Sequence, residues 1–280
     1  MNGRLSTPIG NKIQEFPKNT WESEFDKANS CGFELIEWIF DTNDKNPIMT
    51  DDGIQKIKQI SERTGVHINS VLADFFMEKK LVNVSEFELT QNLDVLRNLV
   101  LNSAKLGATI VEIPFVDSSS LTNIDEQKQL VSNLEKTLSL LEENHIILTL
   151  ETDLPPNEFK ELLLSFNHHC IKANYDVGNS AALGYDLKEE MVYYGNLIGN
   201  IHIKDRQLHG KTVPLGSGSV NFELFFNSLR QINYRGDLII QGARESGTAP
   251  ENTCMKYLQF VRQYAEKYLL YNNWGKEIHK

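Results

Sequence analysis

Cysteine, basic charge and long apolar runs are all scarce in this sequence, and each scarcity narrows what the chain can be. Only Cys31, Cys170 and Cys254 occur in 280 residues, far apart and without a CxxC pair. That argues against a disulfide framework and a thiolate zinc site, and reduced, buried thiols are expected. Lys and Arg number 28 against 38 Asp and Glu, a net charge of -10. A nucleic-acid partner, which calls for a basic excess or face, is therefore not expected; a sugar or other small molecule fits better. No run approaches the roughly 18 apolar residues of a membrane span, and MNGRLSTPIGNKIQEF at the start has no apolar core of signal-peptide length. A soluble cytoplasmic protein without membrane association is expected.

Motifs of several enzyme classes are missing too. No GxSxG, HExxH or Cys/His pairing suggests nucleophilic hydrolysis. A Gly-rich phosphate loop after the first strand, the mark of a doubly wound open sheet, is also absent. GSG at 216–218 reads as a turn between a strand and its helix.

What is present is an alternation. Short β-branched runs recur, each followed by a longer segment with apolar residues at helical spacing, the pattern of βα units and a parallel sheet. Eight runs can be counted: LSTPI from 5, FELIEWIF from 33, VHINSVLAD from 66, TIVEIPFV from 109, IILTLET from 146, IKANYDV from 171, GNIHIKD from 199 and DLIIQGA from 237. Several are apolar on both faces, as strands between helices and a filled interior should be. The expected fold is α/β, a single (β/α)8 TIM barrel over residues 1–280, with a doubly wound sheet as runner-up. Leu93, Leu96, Val100 and Ala104 form one inward helical stripe ended by Gly107. Leu130, Leu134, Leu138 and Leu141 form a second, and Met255, Leu258, Val261 and Ala265 a third in a helix opening at Pro250.

In such a barrel chemistry sits at the C-terminal ends of the strands. Four consecutive strands finish with metal-ligand types: Glu151 in LTLETD, Asp176 in NYDVGN, His202 in NIHIKD and Gln241 in IIQGAR. Two carboxylates, an imidazole and an amide oxygen suit one Mn2+, Mg2+ or Co2+, with Zn2+ also compatible. Without a cation, Glu151 and Asp176 side by side would be two like charges in low dielectric. The alternative is that the carboxylates cap the following helices or pair with Lys204, Arg206 or Arg244. Of the histidines only His202 and His209 can reach this rim, which argues against a multi-histidine zinc centre.

At LETDLPP, NYDVGNSAALGYD, NIHIKDR and VPLGSGSVNFELFF the chain resembles the xylose-isomerase-like barrel superfamily of sugar and sugar-phosphate isomerases and epimerases, with endonuclease IV a more distant relative. The resemblance spans nearly the whole sequence. It implies a single divalent ion, aldose/ketose proton-transfer chemistry, a homodimer or homotetramer paired through outer helices, and the first three ligand positions for Glu151, Asp176 and His202. It also exposes a departure. The family's usual glutamate at the fourth position both binds metal and shuttles a proton, whereas Gln241 can offer only an oxygen.

The reading is therefore a metal-dependent isomerase or epimerase acting on a small carbohydrate, phosphorylated or acidic, through an enediolate, with Glu151 as base. Glu112 and Asp74 are candidates for a substitute second acid/base; their alternative is a supporting hydrogen bond. Glu37 is a candidate partner of a substrate hydroxyl or else a helix-facing salt bridge. Lys204, Arg206 and Arg244 are candidates for a substrate phosphate or carboxylate. Trp38, Phe75, Phe76 and Phe115 form either an apolar wall or core, and ADFFMEKKL reads as a mobile rim loop. Rival functions are a lyase or dehydratase on the same scaffold and a non-catalytic sugar-acid binding protein.

Overall fold

The computed structural model describes residues 3–7 and 14–269. Among the described residues there are seven strands: β1 (Leu35–Ile39), β2 (His67–Leu72), β3 (Ile110–Phe115), β4 (Ile147–Thr152), β5 (Ile171–Asp176), β6 (Ile198–Ile203) and β7 (Ile239–Ile240). They pair in sequence order, each pair parallel. Helices alternate with them: α1 (Trp21–Cys31), α2 (Asp51–Thr64), α3 (Phe75–Glu78), α4 (Glu86–Leu106), α5 (Ile124–Glu135), α6 (Leu138–Glu143), α7 (Pro156–Ser165), α8 (Val177–Leu183), α9 (Leu187–Tyr194), α10 (Phe222–Gln231) and α11 (Pro250–Tyr268).

Side-chain contacts show that the sheet is curled into a nearly closed barrel. Glu37 on β1 lies 3.0 Å from His202 on β6, although five strand spacings in a flat sheet would hold them roughly 24 Å apart. The interior is filled: all six residues of β3 are buried, and Val111, Leu148, Leu150, Ile201 and Ile203 are fully enclosed.

The described part of the expected first strand is not a strand. Leu5–Thr7 carry no strand pairing, and Pro8 and Ile9 lie outside the described residues. Side chains instead hold residues 3–6 beside the end of β7. Arg4 Nε donates to the Gly242 carbonyl (2.9 Å), and Arg244 donates to the carbonyls of Ser6 (2.6 Å) and Gly3 (2.8 Å). This reciprocal arginine latch does what ladder bonds were expected to do.

Helix ends follow their sequence signals. Ser85 and Glu88 form a capping box on α4, and Gly107 ends it with φ 82°. The stripe from Leu130 to Leu141 is broken into α5 and α6 because the Thr137 hydroxyl donates to the Leu134 carbonyl (2.7 Å), local bonding that competes with a continuous helix. In α11 the buried face is Thr253, Cys254, Tyr257, Val261 and Ala265, while Met255 faces outward. Trp38, Phe76 and Phe115 are core residues and Phe75 packs against them, so none stands as a free wall. The ADFFMEKKL segment is anchored rather than loose: it contains α3, and the Asn92 side chain donates to the Lys80 carbonyl while Leu81 is fully buried. The three cysteines are free and buried. Among the described residues no helix is long and apolar enough to cross a membrane.

Candidate active site

Strand register brings the expected ligands together. Asp176 ends β5 directly beside His202 on β6, and Glu151 lies near the end of β4, opposite Pro114. One ligand atom from each of the three lies within 4.8 Å of the others, and all three residues are buried. Gln241 follows β7 and continues its ladder, its N–H donating to the Ile203 carbonyl (2.9 Å). Lys204 joins it to the cluster: the ammonium donates to Gln241 Oε1 (2.8 Å) and to Asp176 Oδ2 (3.0 Å).

The two sides of the His202 ring face different surroundings. Nε2 lies 3.0 Å from Glu37 Oε2 and 3.0 Å from Glu112 Oε2 in the barrel interior. Nδ1 lies 3.6 Å from Glu151 Oε2, on the ligand side. Glu151 is oriented by two amides, accepting from Asn174 Nδ2 (2.9 Å) and Asn179 Nδ2 (2.5 Å). Asp176 divides its oxygens: Oδ1 caps α8 through the N–H groups of Gly178 (2.9 Å) and Asn179 (2.8 Å), leaving Oδ2 for Lys204. Capping and lysine pairing, the alternatives to metal binding, are thus both realised at Asp176. Gly178 is required for this approach, because a Cβ there would stand 2.8 Å from the Lys204 backbone carbon.

This donor set fits a divalent cation. Two carboxylates and an imidazole nitrogen converge, and a cationic ammonium already lies between Asp176 and the Gln241 amide oxygen, where positive charge is wanted. The surrounding charges are strongly perturbed. Burial disfavours a charged His202 ring, but Glu112 and then Glu37 outweigh it and hold its pKa well above the ordinary value. Burial likewise pushes the Glu112 carboxyl well up, against the pull of His202. Asp74, just before α3, is raised to about 6 by burial and by the charge of Glu151, opposed by the Gln14 hydrogen bond. Gln14 Nε2 donates to Asp74 Oδ2 (2.7 Å), and its Oε1 accepts from Gln241 Nε2 (3.0 Å). Asp74 is therefore linked to Gln241 through one amide.

The profile of the xylose isomerase-like TIM barrel family matches residues 25–264. The chain belongs to this family. Among its relatives is a protein of Haemophilus influenzae named as a candidate L-ribulose-5-phosphate 3-epimerase, SgbU, 25% identical over 92% of this chain and 96% of that one. The L-ribulose-5-phosphate 3-epimerase UlaE of Shigella flexneri is 22% identical over 91% of this chain and 94% of its own. The solved structure of the IOLI protein with a bound zinc atom has the same fold, with a TM-score of 0.74 at 15% identity, covering 89% of this chain and 94% of that chain.

Within this xylose isomerase-like barrel the remaining candidates separate. Glu37 is not at the rim: it sits mid-strand with 1% exposure, accepting from Ser70 Oγ (2.8 Å) and Asn200 Nδ2 (3.2 Å). The curl of the sheet turns it inward, against the His202 ring. Glu112 is fully enclosed and accepts from Asn174 Nδ2 (3.0 Å), which places it beneath the ligands as a partner of His202. Arg206 is held by the Gly210 carbonyl (2.9 Å) and Asn179 Oδ1 (2.8 Å). Asp205 pairs with neither basic neighbour; its carboxylate takes the N–H groups of Gly216, Gly218 and Val220. Arg244 belongs to the latch, and His209 is exposed.

Asn174, Asn179, Asn200, Ser70 and Gln14 were not singled out by sequence reasoning. Asn174 and Asn200 stand two residues before Asp176 and His202, so the period-two rule for strands puts them on the same interior face. That signal was available. Gln14 and Asn179 lie outside strands and carry no comparable one.

Proposed function

We propose that the chain is a divalent-metal-dependent isomerase or epimerase of a sugar or sugar phosphate, moving a proton beside a carbonyl through an enediolate. The observation that carries this reading is the convergence of Glu151, Asp176 and His202 at three adjacent strand ends, in a family whose relatives include UlaE. These three residues and the Gln241 oxygen would hold the ion. When bound, it would polarise a substrate carbonyl and stabilise the developing oxyanion. Mn2+, Mg2+ and Co2+ suit the oxygen-rich set, and Zn2+ is compatible.

Glu151 is the base. Asn174 and Asn179 fix its carboxylate, so the group that removes a proton is held in place beforehand. Gln241 cannot accept a proton, and epimerisation needs a group on the second face. Asp74 supports that role better than Glu112: it is linked to Gln241 through Gln14, and a pKa near 6 is close to working pH. Glu151 alone gives isomerisation on one face; Glu151 with Asp74 gives inversion at a carbon.

The test is incubation of metal-loaded protein with L-ribulose 5-phosphate, and with its unphosphorylated ketose, in deuterated water. Exchange at carbon and formation of an isomer or epimer are expected, both abolished by Glu151→Gln and His202→Ala. Metal content unchanged in both variants would sink the site. Release of water from substrate would make the protein a lyase, and tight binding without exchange a binding protein. Raised epimerisation in Gln241→Glu is expected, because the substitution restores a proton carrier.

A further inference from the structure

The run His168, His169, Cys170 joins α7 to β5 and takes no part in the site described above. It lies at the other end of the barrel. β5 runs from Ile171 to Asp176, so roughly 20 Å of extended chain separates Cys170 from the Asp176 carboxylate. A turn gathers the three residues, the Ile171 N–H donating to the His168 carbonyl (3.3 Å). One ring nitrogen of each histidine and the Cys170 sulfur lie within 4.8 Å of one another.

Three observations give this cluster the character of a metal site. The first is its spacing. His169 Nε2 lies 3.5 Å from Cys170 Sγ. Glu142 on α6 spans both rings, with Oε2 3.8 Å from His168 Nε2 and Oε1 3.9 Å from His169 Nε2. The carboxylate contacts are too long for hydrogen bonds. All three distances are instead close to the edges of a zinc tetrahedron, roughly 3.3–3.6 Å for the usual zinc–nitrogen, zinc–oxygen and zinc–sulfur bond lengths. Second, the two rings are already stacked, with centroids 4.8 Å apart and planes 22° from parallel, so both turn an edge to Glu142. Third, Cys170 is buried, the His168 side chain is 20% exposed and that of His169 is 68% exposed, which leaves the sulfur reachable by an ion from one side only.

We infer that His168, His169 and Cys170 bind a zinc-class divalent ion, with Glu142 as the fourth ligand. Two imidazoles, a thiolate and one carboxylate select a borderline-soft metal, unlike the oxygen-rich set at the strand ends. On binding, the Cys170 thiol releases its proton to solvent and the sulfur bonds the ion, with no change of oxidation state. Before binding, burial and then Glu142 hold that thiol above its ordinary pKa, so the ion replaces a proton. The Cys170 N–H donates to His168 Nδ1 (3.3 Å); ligation through Nε2 moves the ring proton to Nδ1 and gives up that long bond. The ion would clip α6 to the turn that opens β5. Cysteine spacing carries no sign of such a site because only one donor is a thiol. The assignment is independent of the isomerase/epimerase reading.

The test uses the full chain carrying Glu151→Gln, which weakens the strand-end cluster, with Co2+ and Zn2+ as probes. Cobalt bound to a thiolate absorbs in the near ultraviolet, and Glu151, Asp176 and His202 have no sulfur to give this band. The band should appear on cobalt addition, be bleached by Zn2+ but not by Mg2+, and vanish when Cys170→Ser is added. His169 is exposed, so His169→Ala should fold like its parent. In chelator competition it should bind zinc at least about tenfold more weakly, the loss that follows removal of even a supporting partner. Zinc should also raise the parent's melting temperature by linkage, and raise that of His169→Ala less. No thiolate band in the parent, a band that survives Cys170→Ser, or equal zinc affinity in the parent and His169→Ala overturns the site. Bleaching by Mg2+ as readily as by Zn2+ overturns the choice of metal.

Discussion

Asp74→Asn should separate stability from turnover. The Asp74 carboxyl is raised from 3.8 to about 6, first by burial and then, against the Gln14 hydrogen bond, by the charge of Glu151. Between those values the folded chain holds a proton that the unfolded chain has lost. The contribution of this group to stability is therefore fully present below pH 3.8 and is lost as pH rises through about 6. A gap of about two pH units at 1.36 kcal/mol each means roughly 3 kcal/mol is forfeited at neutral pH. Asparagine never ionises and keeps an oxygen for Gln14 Nε2. In urea denaturation of metal-free protein at pH 7.5 the variant should be about 2–3 kcal/mol more stable, with the advantage shrinking steadily as the pH is lowered toward 4. Its epimerisation rate should fall by roughly 10²–10⁴, the usual contribution of a general acid/base, while solvent exchange through Glu151 persists. An advantage that is the same at pH 5 and 7.5, or a variant less stable at pH 7.5, would refute the placement of this carboxyl.

Glu112→Ala takes one buried carboxylate away from His202 Nε2 and from the Asn174 and Asn200 amides, leaving Glu37 to His202 and Asn200 and Glu151 to Asn174. It should cost about 3–5 kcal/mol in urea melts and about 10–100-fold in metal affinity, with Glu112→Gln milder on both counts. Lys204→Met removes the ammonium between Asp176 and Gln241, so chelator-competition assays should show at least about tenfold tighter metal binding; unchanged affinity would mean that the lysine does not compete. Asp205→Ala discards three backbone N–H bonds to a fully buried carboxylate and should lower stability by about 3 kcal/mol or more, with Asp205→Asn intermediate.

Seven of the eight expected strands are present because β-branched runs register directly as strands, whatever the tertiary context. The curl of the sheet, by contrast, has no local signature. Glu37 reads as a rim residue when LIEW is taken as the end of the strand, whereas pairing continues to Ile39 and leaves Glu37 in the middle of Leu35–Ile39. Its partner, His202, is 165 positions away, and only closure brings them together. Alternation explains more of the site than residue type does. Asn200, His202 and Lys204 share one face, so Lys204 points at the ligands. Asp205 points away from them and collects the GSGSV loop. The arginine latch was hidden for another reason: it joins side chains to carbonyls, and backbone acceptors leave no mark on a sequence.

The pairing of Gln241 with Lys204 changes the charge balance of the site in a definite direction. With a glutamate at the fourth position, three carboxylates, a divalent ion and the Lys204 ammonium would sum to zero. With glutamine, Glu151 and Asp176 alone would balance a bound divalent ion, and the ammonium that now bonds Asp176 and Gln241 would be left without a carboxylate of its own. A surplus cation there would be attracted to negative charge, and in the proposed reaction the enediolate is the group that would acquire it. On the proposed mechanism, a glutamine at position 241 would forgo a proton carrier and leave the Lys204 ammonium to stabilise the oxyanion. On this account metal and substrate reinforce each other's binding through Lys204: removing the lysine should tighten the ion and weaken the sugar.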